Sequence, residues 1–333
     1  MPSDPFKFKQ TKEISRKDIL LSVAREPESN RLFVGSSDSN VYVIDPAAEK
    51  TEPVALDGHS GYVTGVAIAG AFVVSGAYDG KLIWRDRKTL KTERAHKAHD
   101  KWIRAVEASP DGKHIASVAD DMVCRVWDVA TGKMKHELRG HELMTPSHFN
   151  SMLYACAFST DGAYLATGDK VGHIVVWDMA SGKPVKTVEA AGMYTWDPRA
   201  RIHSIGGIRS LAFSPDNSVL AVGGMGKVGN IDHLEGKARL ELFDWRAAKS
   251  LKVVEGDKCK GLITRLVFHP QGDWLVGAGG DSKGALVFFD ATGAKTLREE
   301  SVPMHVHRFV VNEAADRLYL VGHNKISIWE LSA

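Results

Sequence analysis

The stretch VEASPDGKHIASVADDMVCRVWD, Val106–Asp128, decides the fold, because close variants of it recur along the chain. It alternates short runs of residues that favour strands with residues that favour tight turns. In the run CRVWD, Val126 points to one side of a strand while Arg125 and Trp127 point to the other. The SPDG of residues 109–112 contains the proline, aspartate and glycine that preset a tight turn. The stretch therefore predicts short β-strands joined by tight turns.

Variants of this pattern occupy the rest of the chain. The acidic residue that ends each copy recurs at intervals of 41, 42, 50, 66, 46 and 40 residues. These acidic residues are Asp45, Asp86, Asp128, Asp178, Asp244, Asp290 and Glu330. No segment of helical length shows a clear 3.6-residue period. Seven regular copies without helices predict a single all-β repeat domain over residues 1–333.

The composition argues against several classes of protein. Lysine and arginine number 43, and aspartate and glutamate 41, so the formal net charge is +2. Nucleic acid and anionic membranes are therefore unlikely partners. The three cysteines are too far apart for a disulfide framework or a zinc knuckle. Neither a secretory signal nor an apolar run of about 20 residues is present, so we expect a soluble cytoplasmic protein.

Two kinds of dipeptide in the repeats carry a family resemblance. Trp-Asp pairs occur at residues 127–128 and 177–178, and Gly-His pairs at residues 58–59 and 140–141. With these pairs, residues 19–331 resemble the WD-repeat β-propeller family. The resemblance implies a seven-bladed β-propeller of four-stranded antiparallel blades around a central channel. The last copy ends after its third strand, so the resemblance also implies that a strand at about residues 6–14 completes the last blade.

The resemblance further implies a buried hydrogen-bond relay in blade three. A buried indole N–H needs an acceptor, and a hydroxyl and an imidazole can pass that demand on to a carboxylate. The relay residues would be His99, Ser117, Asp121 and Trp127. In blade two Arg85 stands in place of the tryptophan, and in blade four Val171 stands in place of the aspartate.

Two patterns suggest other chemistry. Gly223–Asn230, GGMGKVGN, has the G-x-G-x-x-G spacing of a dinucleotide loop, but we expect a strand after it where such a loop needs a helix. We favour a turn in blade five over a small-ligand or nucleotide sensor. His305 and His307 share a strand face and could form a metal pair, although no third ligand is identifiable.

An enzyme is the competing class of function. A hydrolase or lactonase would need several histidine, aspartate or glutamate side chains at the channel mouth, and the sequence shows no convincing set. We therefore expect no catalytic residue, no metal site and no cofactor.

The uneven repeat spacing points to a binding face. The long intervals come from three insertions, Glu142–Met152, Ala190–Gly207 and Met225–Lys237. Strand directions alternate in a four-stranded meander, so the outer-to-inner and the second-to-third connections emerge on the same face. All three insertions should therefore lie on one face over blades four and five, where insertions in repeats commonly form a binding face.

The second insertion is rich in the residue types that dominate binding interfaces. The candidate partner-binding residues there and on neighbouring loops are Tyr62, Tyr78, Trp102, Asp120, Met193, Tyr194, Trp196, Arg199, Arg201 and His203. The alternative is that the long loop packs on its own blade and buries Trp196. We predict a non-catalytic scaffold for a protein or peptide partner, with Arg199 and Arg201 orienting acidic groups.

Overall fold

A computed structural model of the chain describes residues 4–27, 29–48, 52–197, 199, 203–232, 235–293 and 295–331. Strands dominate these ranges, and the helical elements in them are two single 3-10 turns at Pro5–Lys7 and Ala191–Met193. Neither of these helices has the length and hydropathy that crossing a lipid bilayer requires.

The described residues form 28 strands, most of them short. In chain order they are β1 (Phe8–Arg25), β2 (Leu32–Ser36), β3 (Val41–Ile44), β4 (Val54–Leu56), β5 (Val63–Ala69), β6 (Phe72–Ala77), β7 (Lys81–Asp86), β8 (Thr92–Lys97), β9 (Ile103–Ala108), β10 (His114–Ala119), β11 (Val123–Asp128), β12 (Met134–Arg139), β13 (Leu153–Phe158), β14 (Tyr164–Asp169), β15 (His173–Asp178), β16 (Pro184–Glu189), β17 (Tyr194–Asp197), β18 (His203–Gly206), β19 (Ser210–Phe213), β20 (Val219–Met225), β21 (Lys237–Asp244), β22 (Lys249–Lys260), β23 (Leu262–Phe268), β24 (Trp274–Gly280), β25 (Gly284–Asp290), β26 (Thr296–Val302), β27 (Val306–Val311) and β28 (Arg317–Leu331).

Consecutive strands pair antiparallel and form four-stranded blades. These blades are β5–β8, β9–β12, β13–β16, β19–β22 and β23–β26. The first strand of each blade faces the centre, and strands β1, β5, β9, β13, β19, β23 and β27 contact one another in a ring. The protein is therefore an all-β propeller built from four-stranded antiparallel blades. Strands β17 and β18 form a separate hairpin between two blades.

One sheet departs from the expected pattern. It has six strands in the order β27–β28–β1–β2–β3–β4, so the described residues form six large sheets and not seven separate blades. The difference arises because β1 and β28 are 18 and 15 residues long. The first part of β1 pairs with β28 and its second part with β2, which joins the strands from both ends of the chain in one sheet.

The N-terminal strand is anchored by pairing and by burial. Phe8 lies opposite Leu331 in the antiparallel register of β1 and β28. The Phe8 side chain is fully buried. Its ring stacks on Phe288 at a centroid distance of 5.6 Å and meets Trp274 edge-on at 6.2 Å. This strand therefore contributes both backbone hydrogen bonds and core packing.

The turns between the first and second strands repeat one conformation. In three of them a serine hydroxyl donates to the aspartate two residues later, at 2.5 to 2.6 Å. The last turn residue is Gly112, Gly162 or Asn217, with φ of 67°, 70° and 58°. Glycine and asparagine tolerate this left-handed region better than other residues. The sequences SPDG, STDG and SPDN thus set the local geometry of these turns.

The hydrophobic core lies between neighbouring blades. Trp84 of β7 and Trp127 of β11 meet edge to face with their centroids 6.2 Å apart, and both are buried. Each blade therefore buries one face against the blade before it and one against the blade after it, as stacked sheets do.

Candidate functional site

A buried hydrogen-bond chain crosses the blade β9–β12; its members are His99, Ser117, Asp121 and Trp127. The Trp127 indole donates to Ser117 Oγ at 3.1 Å, and Ser117 Oγ lies 2.8 Å from His99 Nε2. His99 Nδ1 lies 3.0 Å from a carboxylate oxygen of Asp121. This pattern fits a neutral imidazole that carries its hydrogen on Nδ1. Burial lowers the pKa of His99, in agreement with the neutral form.

The polar groups of this chain are bonded to one another in a buried setting. Burial opposes the ionisation of Asp121, but hydrogen bonds from His99 and Arg125 and the charge of Arg125 outweigh it and hold the carboxyl pKa at about 2. Ser117 is fully buried and its hydroxyl is engaged on both sides. The Ser-His-Asp set therefore resembles a nucleophilic triad in composition, but a substrate cannot reach the hydroxyl. It ties the segment before β9 to the turn after β10.

The blade β13–β16 contains the same chain, but another aspartate completes it. Thr167 Oγ1 accepts from the Trp177 indole at 2.9 Å and lies 2.8 Å from His141 Nε2. His141 Nδ1 lies 3.0 Å from Asp169. The interpretation that Val171 replaces the acid of blade four missed this carboxylate. Asp169, two residues earlier at the end of β14, reaches the same imidazole nitrogen.

The blade β5–β8 uses an arginine where the other two blades use an indole. Arg85 Nη1 donates to Ser75 Oγ at 3.0 Å, and the same oxygen lies 2.9 Å from His59 Nε2. His59 Nδ1 is 3.2 Å from Asp79. Arg85 is nearly fully buried, so it replaces both the hydrogen bond and the volume of the tryptophan. In all three blades the relay holds the loop that leads into the inner strand.

Three aromatic rings from separate loops stack on each other, and we call Tyr62, Tyr78 and Trp102 the aromatic stack. The Tyr78 ring centroid lies 5.4 Å from that of Tyr62 and 4.4 Å from that of Trp102. The outer two rings are half exposed, Tyr62 at 49% and Trp102 at 50%. The aromatic stack therefore presents apolar ring surface to solvent at both ends.

Arg104 binds the central ring of the aromatic stack through its hydroxyl group. It donates from Nη1 to the Tyr78 hydroxyl at 2.7 Å and from Nε and Nη2 to the two carboxylate oxygens of Asp120, both at 2.7 Å. Such a bidentate pair fixes the guanidinium in one plane. Asp120 thus serves to orient Arg104, and both of its oxygens are occupied.

The second insertion forms the hairpin β17–β18 and contacts the other two insertions. The Trp196 ring lies 5.3 Å from the Phe149 ring of the first insertion. The Val228 amide of the third insertion donates to Thr195 Oγ1 at 3.3 Å. Trp196 is partly buried by this packing. The hairpin therefore bridges the first and third insertions.

The remaining candidate residues of the second insertion lie in different environments. Met193 is fully buried in the core between two blades, so the structure does not place it on the surface. Tyr194 is partly buried, and Arg199 and His203 are exposed. Arg201 lies outside the described residues.

A cavity of about 470 Å³ lies where the inner strands meet, and we call it the channel cavity. Seven of its lining residues each directly follow a buried apolar residue, within an inner strand or, in one case, just before it. These residues are Leu21, Thr64, Arg104, Tyr154, Arg209, Thr264 and His307. Tyr78 lines it too, so the channel cavity adjoins the aromatic stack.

Three histidines meet at one side of the channel cavity. The ring centroids of His305 and His307 are 4.8 Å apart. The ring centroid of His323 lies 5.3 Å from that of His305 and 5.0 Å from that of His307. Burial, with the neighbouring histidines, lowers the pKa of His307 to about 3. Within the described ranges, no group of three histidine, cysteine, aspartate or glutamate residues has an arrangement that could hold a metal ion.

The glycine-rich stretch Gly223–Asn230 lies between strands. Its first three residues end β20, and the next regular element is β21. The Gly226 amide donates to Lys237 O at 2.9 Å, which continues the strand pairing. The described residues here contain no helix whose N-terminus could hold a phosphate. The stretch is an enlarged connection between β20 and β21.

The residues that the sequence reasoning missed are Arg104, Tyr154, Arg209 and His323. A signal for the first three was available, because each directly follows an apolar residue at the start of an inner strand or just before it. No comparable signal existed for His323, which the turn within β28 brings back to the channel cavity.

Comparison with known proteins agrees with this geometry. The profile of the family described as WD domain, G-beta repeat matches residues 51–86, 88–128, 132–178, 199–228 and 248–286, together more than half of the chain. The chain is similar to apoptotic protease-activating factor 1 of Rattus norvegicus, with 26% identity over 63% of this chain and 16% of that protein. It is also similar to nuclear distribution protein PAC1 of Arthroderma otae, with 30% identity over 56% of this chain and 42% of that protein. The chain thus spans less than half the length of either relative. With repeats matched across more than half of its residues and four-stranded blades around a channel, this chain belongs to the WD-repeat family.

Proposed function

We propose that the protein is a non-catalytic scaffold that binds a protein or peptide partner on the face that carries the three insertions. The observation that carries the proposal is that the insertions contact one another, through Trp196 with Phe149 and through Val228 with Thr195. Loops from three places in the chain thus build one continuous surface. Membership of the WD-repeat family agrees with a role in protein interaction.

Exposed apolar side chains support the same face. In the first insertion Leu143, Met144 and Phe149 are 61%, 46% and 37% exposed. A cavity of about 650 Å³ lies between Trp102 and this insertion, with Leu143 and Met144 in its wall. Neighbouring large apolar side chains that are left in water mark interaction sites, and tryptophan and tyrosine contribute most to binding energy. A partner would bury them together.

Packing within the protein and contact with a partner, the two roles considered for the long loop, fall to different residues of this face. Trp196 packs on Phe149 and supports the surface from within. Trp102 and Tyr62 are the aromatic anchors that point outward, since each is half exposed. Arg199, which is exposed, is available to pair with an acidic group of the partner.

We further propose that the six-stranded sheet comprises two four-stranded blades, which makes seven blades in one domain. Seven inner strands follow one another around the ring. Strand β28 reverses near Asn324, which has a φ of 60°. Its two halves lie side by side, because the Leu331 amide donates to Asp316 O at 2.8 Å and Arg317 pairs with Glu330 at 2.8 Å. Strand β1 then supplies the outermost strand of one blade and the innermost strand of the next.

We place the protein in the cytoplasm. The three cysteines are all free, and the pKa values of their thiols are raised, chiefly by burial. Free buried thiols suit a reducing compartment, where disulfides are rare.

Affinity capture from the native cell tests the binding face. The bait proteins are the wild type, Trp102→Ala, Trp196→Ala and Leu251→Ala. Leu251 is a matched control, because it is 49% exposed but lies on the outer strand β22. We expect the wild type and the control to retain the same specific partner and Trp102→Ala to lose it, with melting temperatures of Trp102→Ala and the control unchanged. Equal capture by all four baits would dismiss this face.

A further inference from the structure

The channel cavity contains a cation without a matching anion. The Arg209 guanidinium lies 3.5 Å from the centroid of the Tyr154 ring and donates to Ile208 O at 3.4 Å. Within the described part of the chain it forms no ion pair with an acidic side chain. Burial lowers the pKa of Arg209. A charge that is partly withdrawn from water in this way is stabilised when an opposite charge reaches it.

The other two arginines of the channel cavity are already matched. Arg104 pairs with Asp120 at 2.7 Å, and Arg308 pairs with Glu107. One acid lines the cavity itself, Asp281, and its carboxylate accepts from the Lys283 amide at 2.9 Å. Of the three arginines that we have named in this lining, Arg209 is the one without a carboxylate partner among the described residues.

A second polar group of the channel cavity also lacks a partner. His307 Nε2 is buried, and no hydrogen-bond partner for it exists among the residues that the structure describes. Its neighbour His305 is satisfied, because Nδ1 donates to Asp281 O at 2.7 Å. A buried imidazole nitrogen that is left without a partner destabilises the protein, and a ligand that accepts from it removes that cost.

Arg209 and His307 both line the channel cavity. Each directly follows a buried apolar residue, Ile208 just before β19 in one case and Val306 at the start of β27 in the other. A group that occupies the channel cavity therefore has both side chains in its wall. Ionised oxygens are the acceptors that suit a guanidinium and an imidazole N–H together.

We propose that the channel cavity is a binding site for an oxyanion, either a carboxylate or a phosphate-type group, held by Arg209 with His307 donating from Nε2. The volume of about 470 Å³ accommodates such a group with part of the molecule that carries it. This site is separate from the apolar surface of the insertions, and it requires no partner on that surface.

Calorimetric titration of the full chain at constant ionic strength tests the proposal. Sulfate serves as the phosphate-type probe, and N-acetylglutamate amide as the carboxylate probe. We expect saturable binding of at least one probe, and the better binder identifies the class of the natural ligand. Arg209→Gln should weaken binding about tenfold or more, because it removes a charge-assisted hydrogen bond. His307→Phe should weaken it about threefold or more.

Arg246→Gln is the matched control. Arg246 also lies over an aromatic ring, 4.3 Å from the centroid of Trp245, but outside the channel cavity. It should bind both probes as the wild type does, which separates the site from general salt effects. Absence of saturable binding to the wild type, or wild-type affinity in folded Arg209→Gln, overturns the proposal. If Arg209→Gln does not fold, His307→Phe compared with Arg246→Gln decides the question by the same criterion.

Discussion

Trp102 lies face to face with Tyr78, with ring centroids 4.4 Å apart and an interplanar angle of 3°. The two residues come from the loops that follow β8 and β6, so the contact links neighbouring blades. The Tyr78 hydroxyl is held by Arg104, which is itself fixed by Asp120. A half-exposed tryptophan is thereby presented on a rigid support, which lowers the entropy that binding would otherwise cost.

The hydrogen bond from Arg104 to the Tyr78 hydroxyl should contribute measurably to the free energy of unfolding. Tyr78→Phe removes the hydroxyl and keeps the stacked ring, so we expect a loss of about 1–2 kcal/mol in the free energy of unfolding. Tyr62→Phe is the control, because its ring belongs to the same aromatic stack but Arg104 does not bind its hydroxyl, and it should change stability by less than about 0.5 kcal/mol. Urea unfolding of both variants measures the difference, and equal losses would contradict the assigned role of Arg104.

The aspartate that completes the relay of blade β13–β16 can be identified by substitution. Asp169 accepts from His141 and also from the amides of Val171 and His173, at 3.0 and 2.9 Å. Asp169→Ala should therefore cost about 2–3 kcal/mol, because it leaves several buried donors without an acceptor. Val171→Ala should cost less than about 1 kcal/mol, since Val171 is only partly buried. The reverse order in denaturant unfolding would restore Val171 as the important position.

Substitution of two phenylalanines tests whether the N-terminal strand stabilises the fold. Phe8 is fully buried, whereas Phe6, two residues earlier, is 61% exposed. Phe8→Ala should lower the free energy of unfolding by about 3–5 kcal/mol, because it leaves a cavity against Trp274 and Phe288. Phe6→Ala should be close to neutral. Thermal unfolding of both variants gives the comparison. A neutral Phe8→Ala would show that this strand does not stabilise the ring.

Acid should destabilise the protein through His307. Its pKa is about 3 in the folded state, below the usual value of about 6.5, so the unfolded chain takes up the proton first as the pH falls. The stability from neutral His307 is complete above about pH 6.5 and is lost progressively toward pH 3. Between pH 7 and pH 5 the wild type should lose about 2 kcal/mol more than His307→Gln does.

Urea unfolding at pH 8, 7 and 5 provides the measurement and its internal control. Between pH 8 and pH 7 the imidazole is largely neutral in both states, so the two proteins should change by nearly equal amounts. Equal changes between pH 7 and pH 5 would show that His307 is not held neutral.

Strand positions were predictable wherever local chemistry repeats. The copy Val106–Asp128 corresponds to β9, β10 and β11 because its turn residues and alternating apolar residues act over a few neighbours. The number of separate sheets was harder to predict from the sequence. It depends on how far β1 and β28 extend and on which partners they meet, and strands from opposite ends of the chain decide that.

The residue types of the candidate site could be predicted from the sequence, but which individual residues belong to it was harder to predict. The aromatic character of Trp102 and Tyr62 is local, whereas the burial of Met193 depends on the blade that closes over it. Counting four residues from the relay hydroxyl identified Asp121 but missed Asp169, because the turn after β14 places a different residue at the imidazole. A hydrogen bond depends on the distance between two side chains in space. Spacing in the sequence predicts that distance only where two blades share the same turn conformation.

Phe8 and Leu331 are register partners although almost the whole chain separates them. During synthesis on the ribosome, the first part of β1 remains unpaired until β28 has been synthesised and has left the ribosome. The intermediate carries a bare sheet edge and an uncovered Phe8, both of which favour aggregation. Completion of this fold is therefore a late event in translation, and chaperones that shield nascent strands should matter most for this protein in that interval.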